Sequence, residues 1–265
     1  MKKEKILINI ENLLDIEKYK KIGINNYLFG VNVFSIGYKS FDIETINNIE
    51  CNKFLLINRI FNSKDVDNFK EFIKKLGDIK GIVFEDIGVF NILKDSNLKL
   101  IWNQSHFATN YSSINYWLDN VYSAVISNEL TYEEVRDILN KCNKPLILNI
   151  FGKNPIMYSR RTLLSNFNNN FNLENNREVI LEESITKNEF LAKENNNGTI
   201  IFNNTYFNLI GYLENFNNDK ILYYLINTHE LDFETMCNII NGKEVLKCDD
   251  GFMRRKTIYK LGDKK

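Results

Sequence analysis

Residues 123–150 read SAVISNELTYEEVRDILNKCNKPLILNI. The opening run, Ser123–Ser127, and the closing run, Pro145–Ile150, are continuously apolar rather than alternating. Strands buried on both faces of a parallel sheet have that pattern. Between them Thr131 is followed three residues later by Glu134, a capping box that opens a helix, and Val135, Ile138 and Leu139 share one face of that helix. The stretch therefore predicts a strand, a helix and a second strand parallel to the first.

The same unit recurs on both sides. Further apolar runs are Lys5–Ile10, Tyr27–Val31, Phe54–Ile57, Gly81–Phe84, Leu98–Trp102 and Ile221–Ile226. Amphipathic segments separate most of them: Leu14, Tyr19 and Ile22 line one face, and Phe69, Phe72, Ile73 and Leu76 another. A strand every 20 to 30 residues or so, repeated about eight times, favours a closed (β/α)8 TIM-type barrel over an open sheet. The 265 residues suit one such barrel, which takes about 250. The rhythm breaks once, between strands 7 and 8. Residues 152–205 form a long insertion over the barrel mouth, with β-like runs at Val179–Leu181 and Thr199–Phe202 parted by turn-prone Glu194–Gly198, and a helix is expected over about Tyr206–Phe216. Residues 245–261 read as a short β-like tail packed on the barrel, so 1–265 is one domain. Long barrel insertions commonly serve as lids or binding loops.

Composition narrows the classes. Lys and Arg number 34, as do Asp and Glu, which disfavours a broad generic nucleic-acid surface. No apolar run reaches the ~18 residues of a membrane span, and Met1–Ile10 lacks the apolar core of a secretion signal, so a cytoplasmic protein with no membrane partner is expected. Cys51, Cys142, Cys237 and Cys248 show no CxxC or Cys/His ligand spacing, so no metal site is expected and they read as reduced, buried thiols. Phosphate-binding glycine loops, HExxH and GxSxG are absent.

Barrel enzymes work at the C-terminal ends of their strands. There the sequence offers Asn9 and Glu11, Gly30, Asn58 and Arg59, Glu85 and Asp86, Asn103, Gln104 and His106, Asn128 and Glu129, Phe151 and Gly152, Asn227 and His229. Amides such as Gln104 can read the edge of a planar ligand. Arg59 or Arg161 can hold a carboxylate or phosphate in bidentate fashion. Asp86, Glu85 and Glu129 are candidate acid–base groups if burial raises a pKa. Structural readings stand beside these. Asp86 serves equally well as the cap of the helix after Ile87, and Glu129 as a stabiliser of the helix beginning near Thr131. His106 reads first as a structural group, and Trp102 and Trp117 as core. Arg160 and Arg161 follow Tyr158-Ser159 outside any obvious solvated helix face, which favours function.

Several segments, in order along nearly the whole chain, resemble the peptidase U32 family. They are Gly81–Asn91 (GIVFEDIGVFN), Asn103-Gln104 through Asn110, Ser127-Asn-Glu-Leu130, Gly152–Ser165 (GKNPIMYSRRTLLS), and Gly251-Phe252 with Thr257–Lys260. Family members read Tyr-Ser-Gly-Arg-Cys, then Leu-Ser, in the central motif. Here Arg160 replaces the Gly, Arg161 matches the Arg, Thr162 stands in place of the Cys, and Ser165 matches the closing Ser. A second family cysteine falls near Pro155. If those cysteines hold an iron–sulfur cluster, this short divergent branch cannot hold one in the same way, and no cofactor is expected.

The resemblance implies three functions. The first is an enzyme, or enzyme subunit, of hydroxylation-type RNA-nucleoside modification at the barrel mouth. Asp86, Glu129 and Arg161 would be catalytic, with Asp86 or Glu129 moving protons and Arg161 holding a phosphate or carboxylate; Arg59, Tyr158, Arg160 and Ser165 would bind the substrate, and Gln104 and Asn110 would read it. The second is a collagenase-like peptidase, a hydrolase acting on a peptide. The third is a non-catalytic partner of a cysteine-bearing U32 paralogue.

Overall fold

A computed structural model describes residues 1–104, 106–243 and 245–255. The expected tail segment beyond residue 255, including Thr257–Lys260, lies outside the described residues. Seven barrel strands run first: β1 (Ile6–Asn9), β2 (Asn26–Val31), β3 (Asn52–Ile57), β4 (Gly81–Phe84), β5 (Lys99–Asn103), β6 (Ser123–Val125) and β7 (Leu146–Gly152), with a two-residue strand, Ser40–Phe41, paired to the end of β2. The insertion contributes β8 (Pro155–Ser159), β9 (Glu178–Glu182), β10 (Glu189–Asn195) and β11 (Gly198–Asn203), and β12 (Ile221–Asn227) follows. Strands β1 to β7 pair in order, all parallel, and β12 closes the ring between β7 and β1 with Leu225 opposite both Asn149 and Leu7. The fold is a closed (β/α)8 barrel.

Helices α1 (Ile16–Lys21), α2 (Ile43–Asn47), α3 (Ser63–Phe72), α4 (Ile87–Leu93), α5 (Tyr111–Leu118) and α6 (Tyr132–Lys141) connect the first seven strands. Helix α7 (Leu163–Asn170) belongs to the insertion, and α8 (Phe233–Ile240) follows β12. The Thr131–Glu134 capping box opens α6, with Val135, Ile138 and Leu139 buried.

Both faces of the barrel strands are buried, which explains their unbroken apolar runs. Leu7, Leu28, Phe54, Leu56, Val83, Ile101, Val125, Ile147 and Leu225 fill the barrel interior. Ile6, Ile8, Phe29, Leu55, Ile82, Phe84, Leu148 and Ile226 point outward and pack under the helices. Successive residues of a strand face opposite sides, so one layer of each strand belongs to each core.

The insertion folds as a four-stranded antiparallel sheet in the order β9-β10-β11-β8. Ile36, Leu191, Ile200 and Phe202 cluster to seat it on the rim. Asn195 and Asn197 donate to Ser35 O at 3.1 and 2.9 Å. Gly37 (φ +82°) lets this approach happen, since a Cβ there would lie 2.7 Å from both the Ile200 and Phe202 side chains.

The helix expected at Tyr206–Phe216 does not form. Tyr206–Asn208 is instead a short strand antiparallel to the end of β7, and Ile210–Asn215 is a 3-10 segment. Phe207 is buried by pairing with Gly152, and Asn208 Oδ1 accepts from Ile210 N at 3.0 Å, which breaks the chain direction before a helix can start. Cys248–Asp249 pairs in parallel with Tyr206–Phe207. No helix among the described residues is long and apolar enough to cross a membrane.

Candidate functional site

Two residues beyond the apolar layer, each strand presents its next inward position at the C-terminal mouth. By this parity Leu7, Leu56, Val83, Ile101, Ile147 and Leu225 lead to Asn9, Asn58, Glu85, Asn103, Asn149 and Asn227. All six line one cavity of about 300 Å³, with Gln104, His106 and Asn128 beside them. Pro155 and Met157, Tyr158 and Ile200 from the insertion sheet line it as well.

The amides form a directed network. Asn9 Nδ2 donates to Asn227 Oδ1 at 3.0 Å, and Asn227 Nδ2 donates to Asn149 Oδ1 at 3.3 Å. Asn58 holds both backbone groups of Ile36, at 2.9 and 3.0 Å. Asn128 donates to Asn154 Oδ1 at 2.6 Å. Two acceptors lack a partner although buried: Asn9 Oδ1, on a residue 1% exposed, and Asn128 Oδ1. A buried polar atom without a partner costs about 1–3 kcal/mol, so both atoms are poised for a ligand that brings N–H or O–H donors.

Glu85 is the single carboxylic acid among the residues lining this cavity. Desolvation pushes its pKa up to about 8, so it is largely protonated at neutral pH. Asn103 Nδ2 donates to its Oε1 at 3.1 Å, and Gln104 Nε2 donates to its backbone O at 2.9 Å. With Oε1 fixed as an acceptor, the proton belongs on Oε2. The groups expected of a peptidase nucleophile do not line the cavity: among its described lining residues there is no serine, threonine or cysteine.

The sequence candidates distribute unevenly around this site. Asp86 faces away from the cavity. Its Oδ1 accepts from Gly88 N at 2.7 Å, capping α4, and its Oδ2 accepts from Phe61 N at 2.8 Å. Asp86→Ala is expected to cost about 2 kcal/mol, read as a fall of ~4–6 °C in Tm, with Asp86→Asn intermediate because its single amide oxygen replaces only one of the two acceptors; an unchanged Tm in Asp86→Ala would remove this tethering role. Glu129 is exposed at the rim, where His106 Nδ1 lies 3.1 Å from its Oε1. Arg59 pairs with Asp65 of α3 at 3.0 Å and donates to Val33 O at 3.0 Å, so its guanidinium ties the start of α3 to the loop after β2. Asn110 caps α5 by accepting from Ser113 N at 2.9 Å. Gln104 and Tyr158 do line the cavity, and Tyr158 Oη donates to Asn197 O at 3.0 Å. Arg160 and Arg161 are exposed beside the insertion sheet.

Ser165 sits in a different cluster. Its hydroxyl donates to Glu194 Oε1, while Glu194 Oε2 accepts from Leu164 N at 2.7 Å and from Thr199 Oγ1 at 2.9 Å. This buried carboxylate ties the first turn of α7 to β10 and β11. Burial opposes its charge, but the hydrogen bonds from Ser165, Thr199 and the Leu164 and Ser165 amides outweigh it and hold Glu194 below the usual carboxylate range.

Glu11 and His229 are legible as strand-end residues, but the surroundings the structure gives them are not. A wider, charged cleft of about 800 Å³ lies between the rim and the insertion, lined by Glu11, Lys39, Arg177, Glu178, Lys193 and Glu230 among others. Lys193 bridges Glu178 at 3.3 Å and Glu230 at 2.5 Å across it. Burial pushes Glu11 up. His229 is enclosed by Tyr38, Phe202 and Tyr206, with ring centroids 5.4, 5.2 and 6.4 Å away. Desolvation, aided by Lys193 and Lys153, lowers it to about 3, so it is a buried neutral ring. Neither its burial nor the cleft has a local sequence signal, because both arise where the insertion meets the rim.

A closed parallel barrel with a polar, partly unsatisfied cavity at the C-terminal ends of its strands defines the class. Within it, the chain belongs to peptidase family U32, whose model matches residues 34–242. Over 180 residues it is 23% identical to the "tRNA hydroxylation protein P2" of Bacillus subtilis (strain 168), an alignment covering 63% of this chain. The chain spans 58% of the length of that curated relative. Among solved structures, the spore cortex-lytic enzyme SleL of Bacillus cereus is similar over 93% of this chain and 76% of its own, at 11% identity and a TM-score of 0.45. A chitinase from Chromobacterium violaceum ATCC 12472 is similar over 92% and 100%, at 8% identity and a TM-score of 0.44. Neither likeness bears on function.

The thiolates of a family-type cluster do not fit this chain. Thr162 and Pro155 occupy the corresponding region, and no cysteine lies between Cys142 and Cys237. Among the described residues no group of three His, Cys, Asp or Glu side chains could hold a metal ion.

Proposed function

We propose that this protein binds one nucleoside of an RNA in the barrel mouth and takes part in its hydroxylation, as an enzyme or as a subunit of one. The observation that carries the reading is the ring of amides, with the unpartnered acceptors Asn9 Oδ1 and Asn128 Oδ1, around the protonated carboxyl of Glu85. Amides pair with the donor–acceptor edge of a base. A cavity of about 300 Å³ is at the small end of ligand sites and suits one ring system. The similarity to a tRNA hydroxylation protein supports the same substrate class.

Replacing C–H by C–OH with oxygen from water (R–H + H2O → R–OH + 2 H+ + 2 e−) is a two-electron oxidation, and no described side chain lining the mouth accepts electrons. An oxidised co-substrate or a second subunit must therefore take them. The chain's own residues would orient the base through Asn9, Asn128 and Gln104 and transfer a proton at Glu85. Exposed Arg160 and Arg161 would meet backbone phosphates. A paralogous U32 subunit is the partner this arrangement calls for if the electron acceptor is not a small molecule. Peptide hydrolysis is the weaker reading, because the cavity pairs no nucleophile with a base.

The test is mass spectrometry of nucleosides from total tRNA and rRNA in the parent strain, a deletion strain and strains carrying Glu85→Gln or Arg161→Ala. Loss of one hydroxylated nucleoside in the deletion and Glu85→Gln strains is expected, with partial loss in Arg161→Ala. An unchanged nucleoside profile in the deletion strain would overturn the reading.

A further inference from the structure

Beside the mouth lies a second concavity of about 690 Å³, lined by Trp102, Trp117, Tyr116, Phe107, Ile87, Ser112 and Ser113, and closed at its inner end by Glu85 and Gln104. Those last two residues also line the mouth cavity, so the spaces abut across them. Strand β5, helix α5, the loop between them and the start of α4 build it. Trp102 stacks on Trp117 with centroids 5.0 Å apart and planes at 19°, and Tyr116 stands edge-on to Trp117 at 86°. The outer rings are open to solvent: Tyr116 is 70% exposed and Phe107 66%. An isolated exposed ring needs no explanation, but two rings flanking a tryptophan-lined groove that polar side chains also line form a surface for another ring.

We propose that this groove is a second ring-binding subsite, which holds the base adjacent to the nucleoside in the mouth. The inference rests on the RNA reading above and narrows it to a single-stranded or looped segment whose neighbouring bases are unstacked. The occupant follows from the walls. Stacking rings take a planar group whatever its identity, and the Gln104 side chain and the Ser112 and Ser113 hydroxyls that line the groove can hydrogen-bond the polar edge of a base, which an apolar side chain lacks. The shared Glu85–Gln104 boundary places the second ring next to the first. With its carboxyl protonated, Glu85 puts no charge against the incoming strand.

Both tryptophans of the chain line this groove, so intrinsic fluorescence reports its occupancy directly. The probes are the four homopolymeric RNA trinucleotides and the matching mononucleosides, titrated into the full-length protein, with calorimetry measuring mononucleoside affinity. At least one trinucleotide is expected to quench tryptophan emission and to bind more tightly than its mononucleoside. Tyr116→Ala should weaken that trinucleotide about 5- to 100-fold and leave the mononucleoside within about twofold; Phe107→Ala serves as the independent second variant, and both side chains lie outside the core. Trinucleotide binding that survives both variants but is lost in Asn9→Leu would overturn the subsite and leave the mouth assignment standing. Absence of any trinucleotide binding would overturn both. Quenching by Phe-containing tripeptides in place of RNA would overturn the base-stacking assignment in favour of peptide.

Discussion

Glu85→Gln is expected to lower turnover by about 10²–10⁴ while substrate affinity stays within about threefold, because the amide keeps the shape and the Asn103 contact but cannot release a proton. The wild-type rate should fall as pH rises through about 8, where the carboxyl gives up the proton that burial has kept on it. Gln removes that limb. Asn103 supports the direction of transfer: by donating to Oε1 it leaves Oε2 as the proton-bearing atom. A variant with full turnover, or a wild-type profile flat between pH 7 and 9, would end the assignment.

The same residue makes a stability statement of known sign. Its folded pKa is raised from 4.5 to about 8. Below 4.5 both folded and unfolded forms hold the proton, and the site costs nothing. Between 4.5 and 8 the unfolded chain ionises first, so stability declines as pH rises, and above 8 the loss is complete. The interval corresponds to ~5 kcal/mol at most, and water reaching the half-buried carboxyl reduces this to roughly 2 kcal/mol. Glu85→Gln should therefore be more stable than wild type at pH 9 and equal to it at pH 4, a gain in Tm that accompanies the loss of turnover. Stability bought at the expense of activity is the mark of a functional group held in an unfavourable place.

The barrel was legible because its signal is redundant. Eight buried strands each repeat the same unbroken apolar run, and the Thr131–Glu134 capping box has a local cause that nothing distant overrides. The site was legible to the level of the ring but not always of the residue. Glu85 and Asp86 are adjacent and both acidic, and choosing between them requires strand parity. Val83 faces the barrel interior, so Glu85 does too, and Asp86 turns outward to cap α4. That count was available in the sequence once an inward residue was fixed. Arg59 is another matter. Its pairing with Asp65 depends on how the loop after β3 folds back over α3, which no periodicity encodes. The insertion was harder still. Its runs at Val179–Leu181 and Thr199–Phe202 were visible, but β8 and β10 carry Lys, Glu and Tyr among their apolar residues and pair only within this small sheet, β8 with β11 and β10 with β9 and β11, so their strand character comes from the sheet rather than from themselves.

Glu194 illustrates the same limit, and its replacement carries the largest structural effect. Glu194→Ala is expected to cost about 3–5 kcal/mol within the insertion, because it strips the acceptor from Leu164 N, Ser165 N, Ser165 Oγ and Thr199 Oγ1 at once. The damage should be local. Amide exchange should rise across residues 155–203 while β1 to β7 keep their protection, since the inner barrel core lies in a separate cluster from the residues that seat the sheet. Tyr158 and Ile200, which line the mouth, stand on strands this carboxylate helps to hold, so KM should rise more than kcat falls. Because the folded pKa of Glu194 is depressed, its contribution is present above about pH 4.5 and disappears as pH falls through the folded value. Wild type should accordingly loosen at α7 only below about pH 4.5, and Glu194→Gln should lose that pH dependence while retaining part of the docking. Unchanged exchange at residues 163–170 in Glu194→Ala would show that α7 is held by its apolar contacts alone, and would return Ser165 to the substrate-binding role that its place in the family motif implies.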